Sequence, residues 1–444
     1  MQSDLAILGA GAAGMFAALR AGDLGLGVAL FDPHWDRPNN LALSGGLFPA
    51  AGSRLQAAAG VADTPAQWLD DLRRFAGDSV NERIAATVAD TLPQVVDLML
   101  RLQLPVRFLA DVPAPGHGAI RFHSVTPASG AALHDCLRQR VTSAERVRCH
   151  RDRVARIDRT GDGFVLEHAG SRIRASHLLL AGGGFGAAPD LVAEFIPEMA
   201  GALHSGASSQ DGSTILLARR WGAALAGMDG YQGQGHTHPG GRTRLGMSIP
   251  TLGGIMVNAA GLRFVREDIG PSALAARVLA QPGQRALEVF DAAIERELGN
   301  HSAYAAGRAA GRIVDADDLE AVAAQAGVPL PALRASIDLA NRCARGEAED
   351  PLGRRRFARV LEPPYRASWV TGSLAHTQGG IVTDRDGQAL RADDTPLGRI
   401  YAAGGCAAGL SGHGGDGYLP GNGLAQSFAL AKRAAEHAAG VTAD

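Results

Sequence analysis

LAILGAGAAGMFAALRAGDLGLGVALFD, residues 5–32, reads as a strand, a glycine turn, a helix and a second strand that ends on an acid. The apolar residues Leu5 to Leu8 run into Gly9, Gly11 and Gly14, which together make G-x-G-x-x-G. In that fingerprint the first glycine allows the tight turn, the second lets a pyrophosphate approach the backbone, and the third lets the helix pack closely on the strand. The helix predicted from Ala12 to Ala21 offers its free N–H groups and the positive end of its dipole to the phosphates. Asp32 closes the next apolar run, Val28 to Phe31, where an acid accepts hydrogen bonds from an adenosine ribose. A chance glycine turn would lack this surrounding strand, helix and acid, so a dinucleotide site is expected.

At 444 residues the chain exceeds one ordinary core and fits two or three domains. Its 46% hydrophobic and 20% charged residues are those of a globular chain. The formal net charge is −2, Lys432 is the only lysine, and the arginines are spread along the chain, which gives no case for nucleic acid. Cys136, Cys149, Cys343 and Cys406 form no C-x-x-C or C-x-x-C-H, which points away from zinc, iron–sulfur and covalent haem. Isolated reduced thiols in a cytoplasmic protein are the expectation, with no metal. The N-terminus has no basic leader and its apolar residues belong to the first strand, so neither a signal peptide nor a membrane span is expected.

Further along, LALSGGLFPAAG at 41–52 places small residues where a flat ring could lie against backbone. Helical periodicity runs over 65–102, and another helix is expected from Ala128 to Arg140. From Val154 the pattern alternates through VARID, FVLEHA and RIRASHLLLA with turns between, an antiparallel meander returning to a buried strand. That strand runs into GGGFG at 182–186, as LGRIYAAGG does at 397–405, before a last helix from Gly423 to Ala439. Asp211-Gly212 precede a helix over 214–221. Between them the character changes, with a histidine-rich loop, GHTHPGG, a GGIMVN strand, and helices around 272–280 and 316–343. The expected fold is therefore α/β: a Rossmann-like domain with a parallel sheet and an antiparallel β meander (1–233 and 376–444), interrupted by an α+β domain (234–375).

These stretches resemble the flavin-binding subunits of fumarate reductase and succinate dehydrogenase, a superfamily that includes ketosteroid and tricarballylate dehydrogenases. The resemblance rests on GAGAAG at 9–14, SGG at 44–46, LLLAGGGFG at 178–186 and QDGSTILLARRWGA at 210–223. It continues through GGIMVNAAGLRFVRED at 253–268, HTQGGI at 376–381, IYAAGG at 400–405 and GYLPGNGLAQS at 417–427. It implies that the split domain binds FAD and that the insertion is a capping domain, with substrate held against the flavin. The stretches 279–294 and 318–341 look most like the steroid and tricarballylate side. By the same resemblance Gly9, Gly11, Gly14 and Asp32, with Ala12 and Ala13, would hold the ADP half of FAD. Asn40, Ser44, Gly45 and Gly46 would lie along the ribityl chain and flavin, and Gly404, Gly405, Asn422, Gly423, Leu424 and Ala425 would close the site. Val154, Ala181, Gly182, Gly183, Asp211 and His376 complete the implied cofactor contacts. Relatives that attach FAD covalently use a histidine near Asn39 and Asn40, so the FAD is expected to be noncovalent.

The substrate side departs from fumarate reductase. Ala375 stands where the dicarboxylate enzymes have a histidine, Pro271 where they have the proton-donating arginine, and Tyr418 where they have a carboxylate-clamping arginine. These departures argue against fumarate or succinate, and a tyrosine near this place in ketosteroid dehydrogenases hydrogen-bonds a carbonyl oxygen. Hydride transfer at flavin N5 needs a partner that moves a proton at the neighbouring carbon or polarises a carbonyl. Tyr418 is the first candidate, against the bland reading of a buried tyrosine bonded to backbone. His238 and His376 are candidate substrate contacts, and Arg266 or Arg277 could replace the missing arginine, although solvated side chains are the default for all four. His413 lies close enough in sequence to Tyr418 to relay protons. The expected activity is an FAD-dependent enzyme that makes or reduces a carbon–carbon double bond beside a carbonyl or carboxylate of a small molecule. Its electrons would go to or come from a separate quinone, carrier protein or oxygen. The alternatives are a flavin oxidase of a C–N or C–O bond and a noncatalytic flavin electron carrier.

Overall fold

The first strand, Gln2–Leu8, pairs in parallel with Val28–Phe31 on one side and with Ser171–Leu180 on the other. In the computed structural model, residues 2–441 are described except 114, 242–244, 247, 300 and 301, with backbone alone at 302 and 303. The parallel order is Val147–His150, Val28–Phe31, Gln2–Leu8, Ser171–Leu180, Pro396–Ala402, so a strand from near the C-terminus completes the sheet begun at the N-terminus. These strands are apolar on both faces because helices cover the sheet. Ala12–Asp23 packs on the last helix, Asn422–Ala438, with Phe16 and Phe428 edge to face at 5.1 Å.

The meander consists of Val154–Arg159, Phe164–His168 and the first half of Ser171–Leu180, all antiparallel. The second half of that last strand, Leu178–Leu180, pairs in parallel with Pro396–Ala402. One strand thus belongs to both the meander and the parallel sheet. The helical stretch over 65–102 divides into Pro65–Ala76 and Glu82–Arg101, separated at Gly77, whose φ of 53° suits glycine. Ser129 caps the next helix, Gly130–Ser143, by accepting from the Ala132 N–H.

By contact density the chain divides into two units: Met1–Phe195, Gly206–Tyr231 and His376–Asp444 form the first, and Ile196–Ser205 with Gln232–Ala375 form the second. The second is α+β. Its sheet runs Leu203–His204, Tyr365–Thr377, Ala286–Asp291, Ile255–Val257, and Tyr231–Thr237 and Val314–Ala316 also pair with the long strand. Its core gathers Ile255, Leu287, Val289, Phe290, Ile337 and Val370. Three features differ from the sequence expectation. The histidine-rich stretch is a strand as far as Thr237, since its glycines alternate with side chains at sheet spacing. Tyr365–Thr377 is the longest strand among the described residues, and its near-continuous burial removes the alternation that would have marked it. The helix expected over 316–343 is two, Leu319–Ala326 and Leu330–Ala344, with Gly327 as a left-handed cap between them.

Candidate active site

The glycine turn shows what each glycine does. At Gly9, with φ of 105°, a Cβ would stand 2.3 Å from the Ala181 carbonyl oxygen, and at Gly14 one would stand 1.8 Å from the Gly9 oxygen. Both are packing glycines. A Cβ at Gly11 would meet nothing within 4 Å, so the space over the N-terminus of Ala12–Asp23 is open. Asp32 shapes the rim of that space: one carboxylate oxygen accepts from Ala10 N at 2.7 Å and the other from His34 N at 2.7 Å. Asn39 accepts from Ala42 N and donates to the Ala10 carbonyl, tying the following short helix to the turn. A shallow cleft lies here, lined by Ala10, Asp32, His34, Trp35, Asn39 and Arg138 among others.

The other expected cofactor residues extend from this turn within the same unit. Ser44 Oγ donates to the Leu41 carbonyl and accepts from Gly46 N, so SGG is a turn held by its own serine, with Gly45 exposed. Asn40 Oδ1 accepts from Ala207 N at 2.7 Å. Gly182 and Gly183 follow the buried strand end at Ala181, and the buried Gln210 side chain accepts from Gly184 N at 2.8 Å. Gly405 packs directly on that loop, 3.1 Å from Gly184 N by its missing Cβ, and Gly404 turns with φ of 74°. Val154 opens the meander, and Asp211 accepts from Ser213 N at the start of the helix Ser213–Arg220.

At the N-terminus of the last helix three side-chain groups meet. Asn422 is buried, donates to Ser411 Oγ at 2.8 Å, and has its Oδ1 buried with no partner among the described residues. Gly423 N donates to the Tyr418 hydroxyl at 3.4 Å, and a Cβ on Gly423 would stand 3.3 Å from that hydroxyl and 3.7 Å from His376 Cε1. The His376 and Tyr418 rings are edge to face at 5.2 Å. His376 Nδ1 lies 3.1 Å from Gln378 Nε2 and 3.4 Å from the Thr377 carbonyl oxygen, one a donor and the other an acceptor. Burial pushes the Tyr418 phenol up to about 12. Leu424 is half-buried and Ala425 buried beneath this cluster.

The remaining candidates stand apart from these contacts. His238, in the second unit, accepts from Gly240 N at 2.9 Å through Nδ1, and burial together with the Arg312 charge holds its pKa below the ordinary histidine value. No motif marks Arg312, which donates to the Gly240 carbonyl at 3.2 Å. Arg266 is exposed and paired with Asp268, and Arg277 is exposed on the helix Pro271–Leu279. His413 is exposed and paired with Asp229. Gln210 and Gln378 escaped the sequence argument, although a glutamine in an apolar strand end such as HTQGGI is a usable signal.

A family model described as FAD binding domain matches residues 4–424. The chain belongs to this FAD binding domain family. FAD is the cofactor, and the open space at Gly11, the cleft beside Asp32 and the unpartnered buried oxygen of Asn422 fit a bound group of that kind. The chain is similar to an NADH:fumarate oxidoreductase of Klebsiella pneumoniae, 24% identical over 98% of this chain and 47% of that protein. It spans about half the length of that relative. A 3-oxosteroid 1-dehydrogenase of Mycobacterium tuberculosis is 32% identical over 47% of this chain and 43% of its own. Among solved structures, the open conformation of a flavocytochrome c3 fumarate reductase superposes with a TM-score of 0.85 at 24% identity, covering 100% of this chain and 79% of that one. Both branches of the superfamily that the sequence resembles are therefore represented. Among the described residues no helix is long and apolar enough to cross a membrane, and no group of side chains could hold a metal ion.

Proposed function

We propose that the protein is an FAD-dependent oxidoreductase that forms or reduces a carbon–carbon double bond beside a carbonyl or carboxylate of a small substrate. The observation that carries this reading is the meeting of Tyr418, His376 and Gly423 at the N-terminus of the last helix. Bound FAD supplies the hydride chemistry. Gly9, Gly11, Gly14 and Asp32, with Ala12 and Ala13, hold its ADP half. Asn40, Ser44 to Gly46, Val154, Ala181 to Gly183, Asp211, Gly404, Gly405 and the 422–425 turn seat the rest.

Tyr418 acts as a donor. Its oxygen already accepts from Gly423 N–H, so its own proton is directed elsewhere, and with a pKa pushed up to about 12 the phenol keeps that proton at neutral pH. A substrate carbonyl oxygen that gains negative charge in the transition state receives it, with the His376 ring beside it. The names of the relatives, a fumarate oxidoreductase and an oxosteroid dehydrogenase, support a substrate with a carbonyl oxygen beside the reacting carbons.

With Asn39 and Asn40 at the positions flanking the flavin, attachment is noncovalent, and acid precipitation is expected to release all yellow colour to the supernatant. Cys136, Cys149, Cys343 and Cys406 are free, which supports a cytoplasmic setting, and a separate quinone, carrier protein or oxygen exchanges the electrons. The test is anaerobic bleaching of the oxidised flavin with succinate, tricarballylate and a 3-ketosteroid, and reoxidation of dithionite-reduced flavin by their unsaturated counterparts. Reaction with any of these supports the reading. Reaction with amines or alcohols alone would overturn it.

A further inference from the structure

The Tyr418 cluster is anchored from an unexpected direction. Pro420, two residues on, has its carbonyl oxygen 2.9 Å from His117 Nε2. A carbonyl only accepts, so that ring nitrogen carries a proton. The other nitrogen, Nδ1, lies 3.5 Å from Arg121 Nη1, and a guanidinium only donates, so Nδ1 is the acceptor. Both ring positions are thus defined by their partners, and the imidazole is neutral.

Arg121 itself is immobilised. Its side chain is 1% exposed, makes paired hydrogen bonds to Asp63 at 2.9 and 3.0 Å, and donates to Asp71 at 2.6 Å. Asp71 in turn accepts from Gly118 N at 2.6 Å and from Arg74 at 2.7 Å, which fixes the residue after His117. Phe122 packs edge to face on the His117 ring at 5.1 Å, and a Cβ on Gly421 would stand 2.8 Å from Phe122 and 2.7 Å from Pro49. The residues that lead into the last helix are therefore held by one buried charge network through one neutral histidine.

We propose that His117 is a positioning residue for the active site: it transmits the rigidity of the Arg121–Asp63–Asp71 network to the Pro420 carbonyl and so sets the Tyr418 hydroxyl and the Gly423 N–H in place. This rests on the reading of Tyr418 as the donor. The charged groups that face His117 are Arg121, Asp71 and Asp63, with Arg74 on the far side of Asp71. Burial, and then the Arg121 charge, hold its pKa below the ordinary histidine value. Protonation of Nδ1 would set an N–H against the guanidinium and uncouple the ring from Arg121, so that the Pro420 carbonyl is no longer tied to the buried network even though Nε2–H still donates to it. Activity is therefore expected to fall as pH drops below the ordinary histidine range, with FAD still bound.

The test compares His117→Leu, which has no donor, with His117→Gln, whose amide can donate but does not titrate. In holoenzyme, deuterium exchange over 419–427 is expected to quicken about tenfold in His117→Leu, the loss of roughly one hydrogen bond, and to return toward wild type in His117→Gln. Turnover should fall about 10- to 100-fold in His117→Leu with KM little changed. His117→Gln should keep most of its turnover and lose the acid limb of the pH profile. The double variant His117→Leu/Tyr418→Phe should be no slower than Tyr418→Phe alone, because one effect passes through the other. Unchanged exchange in His117→Leu, or additive losses in the double variant, would overturn the proposal. A Tyr418→Phe enzyme with full activity would instead overturn the functional reading on which it rests.

Discussion

Replacing Tyr418 by Phe removes one hydroxyl from the place where Gly423 N–H, the His376 ring and the start of the last helix converge. The hydrogen bond it receives is long, 3.4 Å, and the N–H it leaves lies in the first turn of a helix, so the cost to stability is under about 1 kcal/mol. The cost to chemistry is larger. Loss of a preorganised donor to a developing oxyanion slows turnover by about 10²- to 10³-fold, or about 3–4 kcal/mol in the barrier. A pKa of about 12 also fixes the sign of the pH effect. As a donor, Tyr418 stays protonated and active up to pH 10. As a base it would have to ionise first, at about 7 kcal/mol at pH 7, and the rate would climb tenfold per unit toward 12. The assay is anaerobic stopped-flow bleaching at saturating substrate from pH 6 to 10, with FAD content and thermal midpoint measured on the same samples. A Tyr418→Phe rate within threefold of wild type, or a wild-type rate that rises steadily with pH, would refute the donor argument.

The glycine turn supplies a contrasting pair: Gly11→Ala is expected to leave the apoprotein midpoint unchanged and weaken FAD binding at least about tenfold, because its backbone is extended and its Cβ enters open space. Gly14→Ala, with its Cβ 1.8 Å from the Gly9 oxygen, should lose about 2 kcal/mol or more of stability by urea unfolding; equal behaviour of the two would contradict the assignment. His123 donates to the Arg121 carbonyl at 3.0 Å and sits 2.7 Å from Ser53 Oγ, and burial lowers its pKa from 6.5 to about 4. The folded state therefore resists its protonation, and stability should decline as pH falls from about 6.5 to about 4, by up to about 3 kcal/mol. Urea unfolding at pH 7 and 4.5 should show a smaller decline in His123→Gln, and an equal one would rule the histidine out.

What could be read in the sequence is what backbone sterics enforce locally. Gly9 and Gly14 are glycines because a Cβ at either would collide with a backbone oxygen, and that necessity appears as a spacing anyone can find. Gly77 and Gly327, by contrast, sit inside stretches of helical periodicity, where the apolar pattern continues across the break and conceals it. Tyr365–Thr377 was hidden for the opposite reason: a strand covered on both faces has no alternation to see. The site divides along the same line. The residues of SGG act near their neighbours in the chain, and Ser44 bonds Leu41 and Gly46 within one turn. Gln210 and His117 take their meaning from partners the chain brings from elsewhere, Gly184 and Pro420. The protonation of His117 follows only from finding a carbonyl on one side of the ring and a guanidinium on the other, and no spacing in the sequence encodes that arrangement. Direction of donation, which decides whether a tyrosine or histidine can serve as acid or base, is therefore a property of the fold rather than of the motif.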